Sequence, residues 1–236
     1  MKRVFPILAV FTGGLLSYAL YEALRGAPTE QTMGEVQRIF YYHVPSAWTA
    51  FILFFFNFFA SVTYLIWRTN KADIVALVTA EVGVIFCTVV LVTGPIWARP
   101  VWGIWWTWDL RLTLTLVLWL IYVSYLVLRR FSSSGQTPLL AAVLAVFGAL
   151  DVPLVYFSIW FFRTQHPQPV VGGGGSIDPR MLHVLLINWL AFSCFAALVC
   201  WSRYRLEVLR RAVDETLALE ALLEPPARTS RSGSAG

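Results

Sequence analysis

Six stretches of about twenty predominantly apolar residues, at 4–24, 48–67, 74–92, 110–128, 139–162 and 182–201, constrain this chain more than any other feature. Each is long enough to cross a hydrocarbon core of about 30 Å as a helix. Lipid offers exposed backbone groups no partner, and the runs are about twice the length a barrel strand needs, so helices are the expected form. The expected fold class is therefore all-α, a polytopic membrane protein with six transmembrane helices. Composition agrees: 58% of residues are apolar and 13% charged, against about 45–50% and 25% in soluble domains. A water-soluble enzyme, a nucleic-acid binder and a disordered chain are poor readings.

The net charge of +5 matters less than its distribution, because basic loops orient membrane proteins. With the N-terminus inside, Lys2, Arg3, Arg68, Lys71, Arg129, Arg130, Arg203, Arg205, Arg210 and Arg211 fall in cytoplasmic segments near span ends. The outer side then holds Arg25, Arg38, Arg99, Arg111, Arg163 and Arg180. The excess favours an N-in, C-in topology. Lys2-Arg3 before an apolar run, with small residues at Ser17-Tyr18-Ala19, also fits a cleaved signal peptide; the length of the run favours an anchor. Cys87, Cys194 and Cys200 lie inside spans with no Cys-x-x-Cys spacing, and read as buried packing residues.

Connections expected inside are short, whereas the three outer ones, at 25–47, 94–109 and 163–181, are longer and carry most of the unusual residues. Function is expected on that face. Residues 1–203 read as the membrane domain. Residues 204–236 read as an appendage: a short amphipathic helix with Leu206, Leu209, Val213 and Leu217 at helical spacing, then a tail that starts at Pro225-Pro226. That helix is either a plain interface helix or a docking element for a cytoplasmic partner.

The segment 97–109 holds Trp97, Trp102, Trp105, Trp106 and Trp108, five of the eleven tryptophans in the chain. An interfacial aromatic belt needs one or two per helix end. Crowding around Pro100 and Gly103 points instead to an interfacial helix or an apolar platform for a large flat ligand. The chain has three histidines. His43 precedes the second span, His166 follows the fifth and His183 starts the sixth, so in the N-in topology all three share a side with the tryptophans. Each alone reads as a solvated or interfacial histidine. Together, neutral imidazoles on either face of a porphyrin resting on tryptophans make a coherent haem site. Haem propionates need cationic partners, and Arg38, Arg99, Arg111 and Arg163 lie near the same interface, Arg111 best placed. Asp109 and Arg111 could equally pair with each other or with the backbone.

Glu81 and Asp151 lie inside spans, where charge is costly; they mark an ion or proton path, or are satisfied within the bundle, Asp151 beside Pro153. Asn57 and Asn188 read as interhelical hydrogen-bonding residues. The run Gly172 to Gly175 lacks the Gly-Lys-Ser/Thr of a phosphate loop and reads as a hinge. No Ser-His-Asp set or catalytic carboxylate pair is visible.

The residues Trp102-Gly103-Ile104-Trp105-Trp106-Thr107-Trp108-Asp109-Leu110-Arg111-Leu112-Thr113 resemble the tryptophan-rich WWD signature of membrane haem-handling proteins, and segment 97–113 is read as that element. The Asp-x-Arg-Leu-Thr ending is similar to the cytochrome c maturation protein C branch (CcmC, haem exporter protein C). Related haem lyases and cytochrome synthases continue differently after the Asp and are longer. The resemblance runs from about Arg38 to Arg180. Arg38-Ile39-Phe40-Tyr41-Tyr42-His43-Val44-Pro45 resembles the first histidine segment, and Thr164-Gln165-His166 the second, with Ser176-Ile177-Asp178-Pro179 following.

This resemblance implies haem b as a transferred ligand, held by axial His43 and His166. It implies a platform of Trp102, Trp105, Trp106, Trp108 and Asp109, with Arg111, and Arg38 beside it, on the propionates. His183 falls outside the family pattern. The resemblance also implies a bacterial inner-membrane location and delivery of haem to a periplasmic chaperone, CcmE. CcmA and CcmB, an ATP-binding cassette ATPase and its membrane subunit, and the small protein CcmD are the implied partners. The expected role is a transfer platform rather than an enzyme. The alternatives are a haem lyase acting on an apocytochrome, or a transporter or ion-conducting bundle centred on Glu81 and Asp151.

Overall fold

A computed structural model describes residues 4–132, 134–162, 164–169, 171 and 177–223. Arg163, Gly172 to Gly175, Ser176 and Pro225-Pro226, discussed above, lie outside the described residues. Among those described there is no strand. The helices are α1 (Val4–Tyr21), α2 (Phe40–Trp67), α3 (Asn70–Trp102), α4 (Leu110–Phe131), α5 (Thr137–Ala149), α6 (Asp151–Phe161) and α7 (Pro179–Leu223). A π-helical turn, Glu22–Gly26, extends α1, and a short 3₁₀ turn, Glu35–Ile39, leads into α2. Six segments are long and apolar enough to cross a membrane, with α5 and α6 together forming one. The protein is an all-α, multi-pass membrane protein.

The helices overrun the apolar runs at informative places. α3 continues from 92 to Trp102 through Pro95 and Pro100. Each proline removes one backbone donor, yet α3 stops only at Gly103. There φ is +79°, a conformation that favours glycine, and the Gly103 N–H caps the Arg99 carbonyl at 3.0 Å. Trp97 and Trp102 are therefore helical, and the irregular tryptophan connection shrinks to residues 103–109. The fifth span breaks between α5 and α6, where Pro153 lies in the first turn of α6 and a proline nitrogen is tolerated. α7 runs unbroken to Leu223, through the proposed appendage boundary at 203–204.

α2 packs most extensively on α3 and also meets α5 and α7. At the heart of the bundle Phe54 stacks on Tyr122, with ring centroids 3.9 Å apart and 15° between planes. Gly83 of α3 makes room for that stack: a Cβ there would lie 2.7 Å from Phe54 Cε1. Phe54 and Tyr122 are both fully buried, so the rings cannot swing aside freely. Gly83→Ala is expected to destabilise by about 1–3 kcal/mol, as overpacking does. Gly13→Ala, whose Cβ meets nothing within 4 Å, serves as the control. The measurement is the thermal unfolding midpoint in detergent, and equal midpoints for the two variants would refute the packing argument.

Polar side chains tie the helices together where apolar packing alone gives no direction. Asn57 of α2 donates to the Ala76 carbonyl of α3 at 2.7 Å, and Tyr122 donates to the Asn57 side-chain oxygen at 3.3 Å. Asn188 of α7 donates to the Ala19 carbonyl of α1 at 3.2 Å. Both asparagines thus bridge helices, as their type in an apolar span predicts. Glu81 takes two 2.9 Å bonds from Arg203 of α7. At the end of the bundle remote from the histidines, Asp73 accepts from Arg129 at 2.6 and 2.8 Å and from Arg211 at 2.6 Å. Arg211 also donates to Glu207 at 3.0 Å, so α3, α4 and α7 meet in one ionic latch.

Candidate functional site

His43 lies in the first turn of α2, behind the 3₁₀ turn that brings the chain back into the bundle. His166 lies beyond α6, on an irregular segment tied back to α4. The tie is Thr164, which donates to Asp109 Oδ2 at 2.7 Å, while Asp109 Oδ1 caps the Leu112 N–H at 3.0 Å. Asp109 is thus the N-cap of α4 and the anchor of the His166 segment at once. Arg111, two residues on, does not form an ion pair with Asp109; it reaches α6 with bonds of 3.4 and 3.5 Å to the carbonyls of Val155 and Tyr156.

These elements enclose a cavity of about 820 Å³, towards the upper end of the roughly 300–1,000 Å³ usual for ligand sites. His43, His166, Arg111, Trp102 and Trp106 all line it. Trp97, Trp48 and Phe51 extend its aromatic wall, and Leu112, Val155 and Met181 its aliphatic one. Trp97 and Trp102 meet edge to face at 5.2 Å. The indole N–H of Trp106 is buried with no acceptor among the described residues.

Other residues singled out from the sequence lie elsewhere. Trp105 and Trp108 are 59% and 75% exposed and do not line the cavity, although Trp108 touches Trp106 edge to face. Arg38 pairs with Glu35 and donates to the carbonyls of Ala23 and Ala27 at 2.9 and 3.3 Å, closing the end of α1 rather than facing the cavity. His183 is exposed and lines a separate, smaller hollow with Glu22 and Arg180. Glu81 is paired with Arg203, and Asp151 is buried at the α5–α6 break, its Oδ2 without a partner among the described residues; neither lines the cavity. The cavity-lining residues Glu30, Gln37 and Gln168 carry no sequence signal, because their segments meet only in the folded chain, whereas Asp178, also in the lining, falls in the segment that follows the second histidine.

The electrostatics favour neutral imidazole at His166. Burial first, and the Arg111 cation second, push its pKa down to about 4, against an opposing bond to the Pro167 carbonyl and the Asp109 charge. His166 Nδ1 lies 2.9 Å from the Pro167 carbonyl; a carbonyl can only accept, so Nδ1 carries the proton and Nε2 keeps its lone pair. At the mouth, hydrogen bonds from Arg180 hold the Asp178 carboxyl below its usual range. Among the described residues no group of three or more His, Cys, Asp or Glu could hold a bare metal ion. Two separate imidazoles, a guanidinium and an indole N–H around an aromatic cavity instead suit a large flat ligand with its own metal and acidic side groups.

Known proteins resemble this chain over nearly its full length. The family model described as Heme exporter protein C matches residues 1–219. A Heme exporter protein C of Bradyrhizobium diazoefficiens is 36% identical over 222 residues, covering 93% of this chain and 84% of the relative. That of Haemophilus influenzae is 30% identical over 211 residues, 88% of this chain and 86% of the relative. A ccmC-like mitochondrial protein of cytochrome c biosynthesis from Marchantia polymorpha is 31% identical over 191 residues, 80% and 82% of the two chains. With six spans and a tryptophan-walled, two-histidine cavity on one continuous match, the chain belongs to the Heme exporter protein C family.

Proposed function

We propose that this member of a haem-handling family holds haem in the cavity between His43 and His166 and passes it to an acceptor outside the membrane. Family membership already places the chain in haem handling for cytochrome c biogenesis. The observation that carries the finer reading is one tryptophan-walled cavity that takes an imidazole from each of two separate elements. His43 and His166 are the axial ligands in this reading, and bound haem supplies an iron that accepts both nitrogen lone pairs. Trp97, Trp102 and Trp106 cover the apolar porphyrin. Arg111, whose bonds to α6 carbonyls are long, gains by turning to a propionate, where a charge-assisted pair is stronger. Arg38 supports the site by closing the chain entering α2. The indole N–H of Trp106 offers a further donor to an acidic edge. Trp105, Trp108 and Asp109 frame the cavity from outside, Asp109 by anchoring the His166 segment.

The fuller assignment follows the family resemblance. The site faces the periplasm of a bacterial inner membrane, and both termini are cytoplasmic, as the basic residues favour. Residues 1–203 form the haem-handling domain, and residues 204–236 the cytoplasmic part. The acceptor is the haem chaperone CcmE, and CcmA, CcmB and CcmD are the companion subunits. The protein acts as a platform, and the covalent bond to haem forms on the acceptor.

The test is to titrate haem into purified, haem-free protein and record the absorbance. A Soret band of the six-coordinate, bis-imidazole type at one haem per chain is expected. Absence of any Soret shift overturns the reading and returns attention to an ion-conducting bundle. Haem-loaded protein mixed separately with CcmE and with an apocytochrome then identifies the acceptor; covalent loading of the apocytochrome alone would favour a lyase.

A further inference from the structure

His43 is held from a second helix. Its Nδ1 lies 2.9 Å from the hydroxyl oxygen of Thr93 on α3, a residue with no assigned role. A threonine hydroxyl has one hydrogen to give. Two carbonyls of the helix's own backbone lie within its reach, that of Val89 at 2.7 Å and that of Val90 at 3.4 Å. Given to the Val89 carbonyl, the shortest of these contacts and a group that can only accept, that hydrogen leaves Thr93 Oγ to accept from the imidazole Nδ1–H. A neutral ring protonated on Nδ1 keeps its lone pair on Nε2. Gly94, the next residue, lies alongside the ring: a Cβ there would lie 3.5 Å from His43 Cε1, an ordinary van der Waals contact.

We propose that Thr93 is a positioning residue for His43, fixing the Nδ1–H tautomer and the ring plane so that Nε2 is presented as a nitrogen donor. Its functional consequence rests on the ligand reading above; the tautomer itself does not. In water neutral histidine favours the Nε2–H form, so the preference must be imposed by the protein. The same bond makes the ring a stronger donor to iron, because a hydrogen-bonded Nδ1–H lends the imidazole anionic character. His166 donates the equivalent bond to its own neighbour, the Pro167 carbonyl, whereas the partner of His43 belongs to another helix. The ring is thus fixed only while α2 and α3 stay packed.

The experiment uses full-length protein with ¹⁵N-labelled histidine, in nanodiscs and free of haem. Three histidines give few resonances, and His166→Gln and His183→Gln assign them. Wild type and Thr93→Ser should show His43 protonated on Nδ1, and Thr93→Val should move it to Nε2–H. With haem supplied, Thr93→Val should bind about 10–100-fold more weakly, the range for losing an outer-shell partner, and show a more positive reduction potential, while Thr93→Ser restores both. An unchanged His43 tautomer in Thr93→Val overturns the proposal whatever haem does. Failure of the ligand reading shows separately, as a haem spectrum that His43→Ala leaves unaltered.

Discussion

Replacing His43 by alanine is expected to weaken haem binding by more than the roughly 10–100-fold that loss of an outer-shell partner costs, and to convert the spectrum from six- to five-coordinate. The reason lies in what the cavity keeps and loses. The tryptophan wall, Arg111 and His166 remain, so apolar burial of the porphyrin still favours association. The lost nitrogen comes from a helix that α3 holds through Thr93, and no other imidazole can replace it. His183, the third in the chain, is exposed in a different hollow. The alanine leaves a space the size of the missing ring, so added imidazole should restore the six-coordinate spectrum. His166→Ala should act in the same direction, and His183→Ala should leave the spectrum unchanged. Haem titration of the three variants, with and without imidazole, is the measurement; matching behaviour of His43→Ala and His183→Ala would remove His43 from the site.

The largest effect on stability is expected at the opposite end of the bundle. Asp73 has 4% of its side chain exposed and Arg129 9%, and Asp73 also takes a bond from Arg211. Asp73→Ala leaves a mostly buried guanidinium without its carboxylate, a change that typically costs about 3–5 kcal/mol. The cost comes from the stranded charge, more than from the strength of the original pair. Asp73→Ala combined with Arg129→Leu should therefore recover much of the loss, since apolar replacement of a buried pair is often neutral. Arg210 provides the contrast. It is 61% exposed and reaches Glu207 and Asp214 only at 3.7 and 3.8 Å, so Arg210→Ala should change stability by no more than about 0.5 kcal/mol. Unfolding midpoints in detergent decide the matter, and a small loss for Asp73→Ala alone would show that the latch is dispensable.

The spans were legible because lipid leaves so few choices. An apolar run of twenty residues in a chain this poor in charge has one structural outcome, and asparagines within such runs find backbone partners on neighbouring helices. Less legible was where helices end. The third apolar run closes at 92, yet α3 continues through Pro95 and Pro100, since tertiary packing sustains the helix until Gly103 supplies the left-handed turn. Periodicity also fails in residues 103–109. With no regular repeat there, nothing in the sequence separates Trp106, at the cavity, from Trp105 and Trp108, facing outward. Arg38 and Arg111 look alike as cations near one interface, but Arg38 is occupied by the carbonyls that the π-helical end of α1 leaves open. Thr93 gave no signal at all, for a threonine in a span ordinarily bonds its own helix and stops there.

The unbroken course of α7 gives the molecule a mechanical property. A helix of 45 residues is about 68 Å long at 1.5 Å per residue, more than twice the thickness of the hydrocarbon layer. One end carries Met181 into the cavity wall, and the other passes the Asp73 latch through Arg211 and continues twelve residues to Leu223. α7 is thus a continuous strut from the cavity wall to the latch, pinned between the two by Asn188 on α1 and by Arg203 on α3.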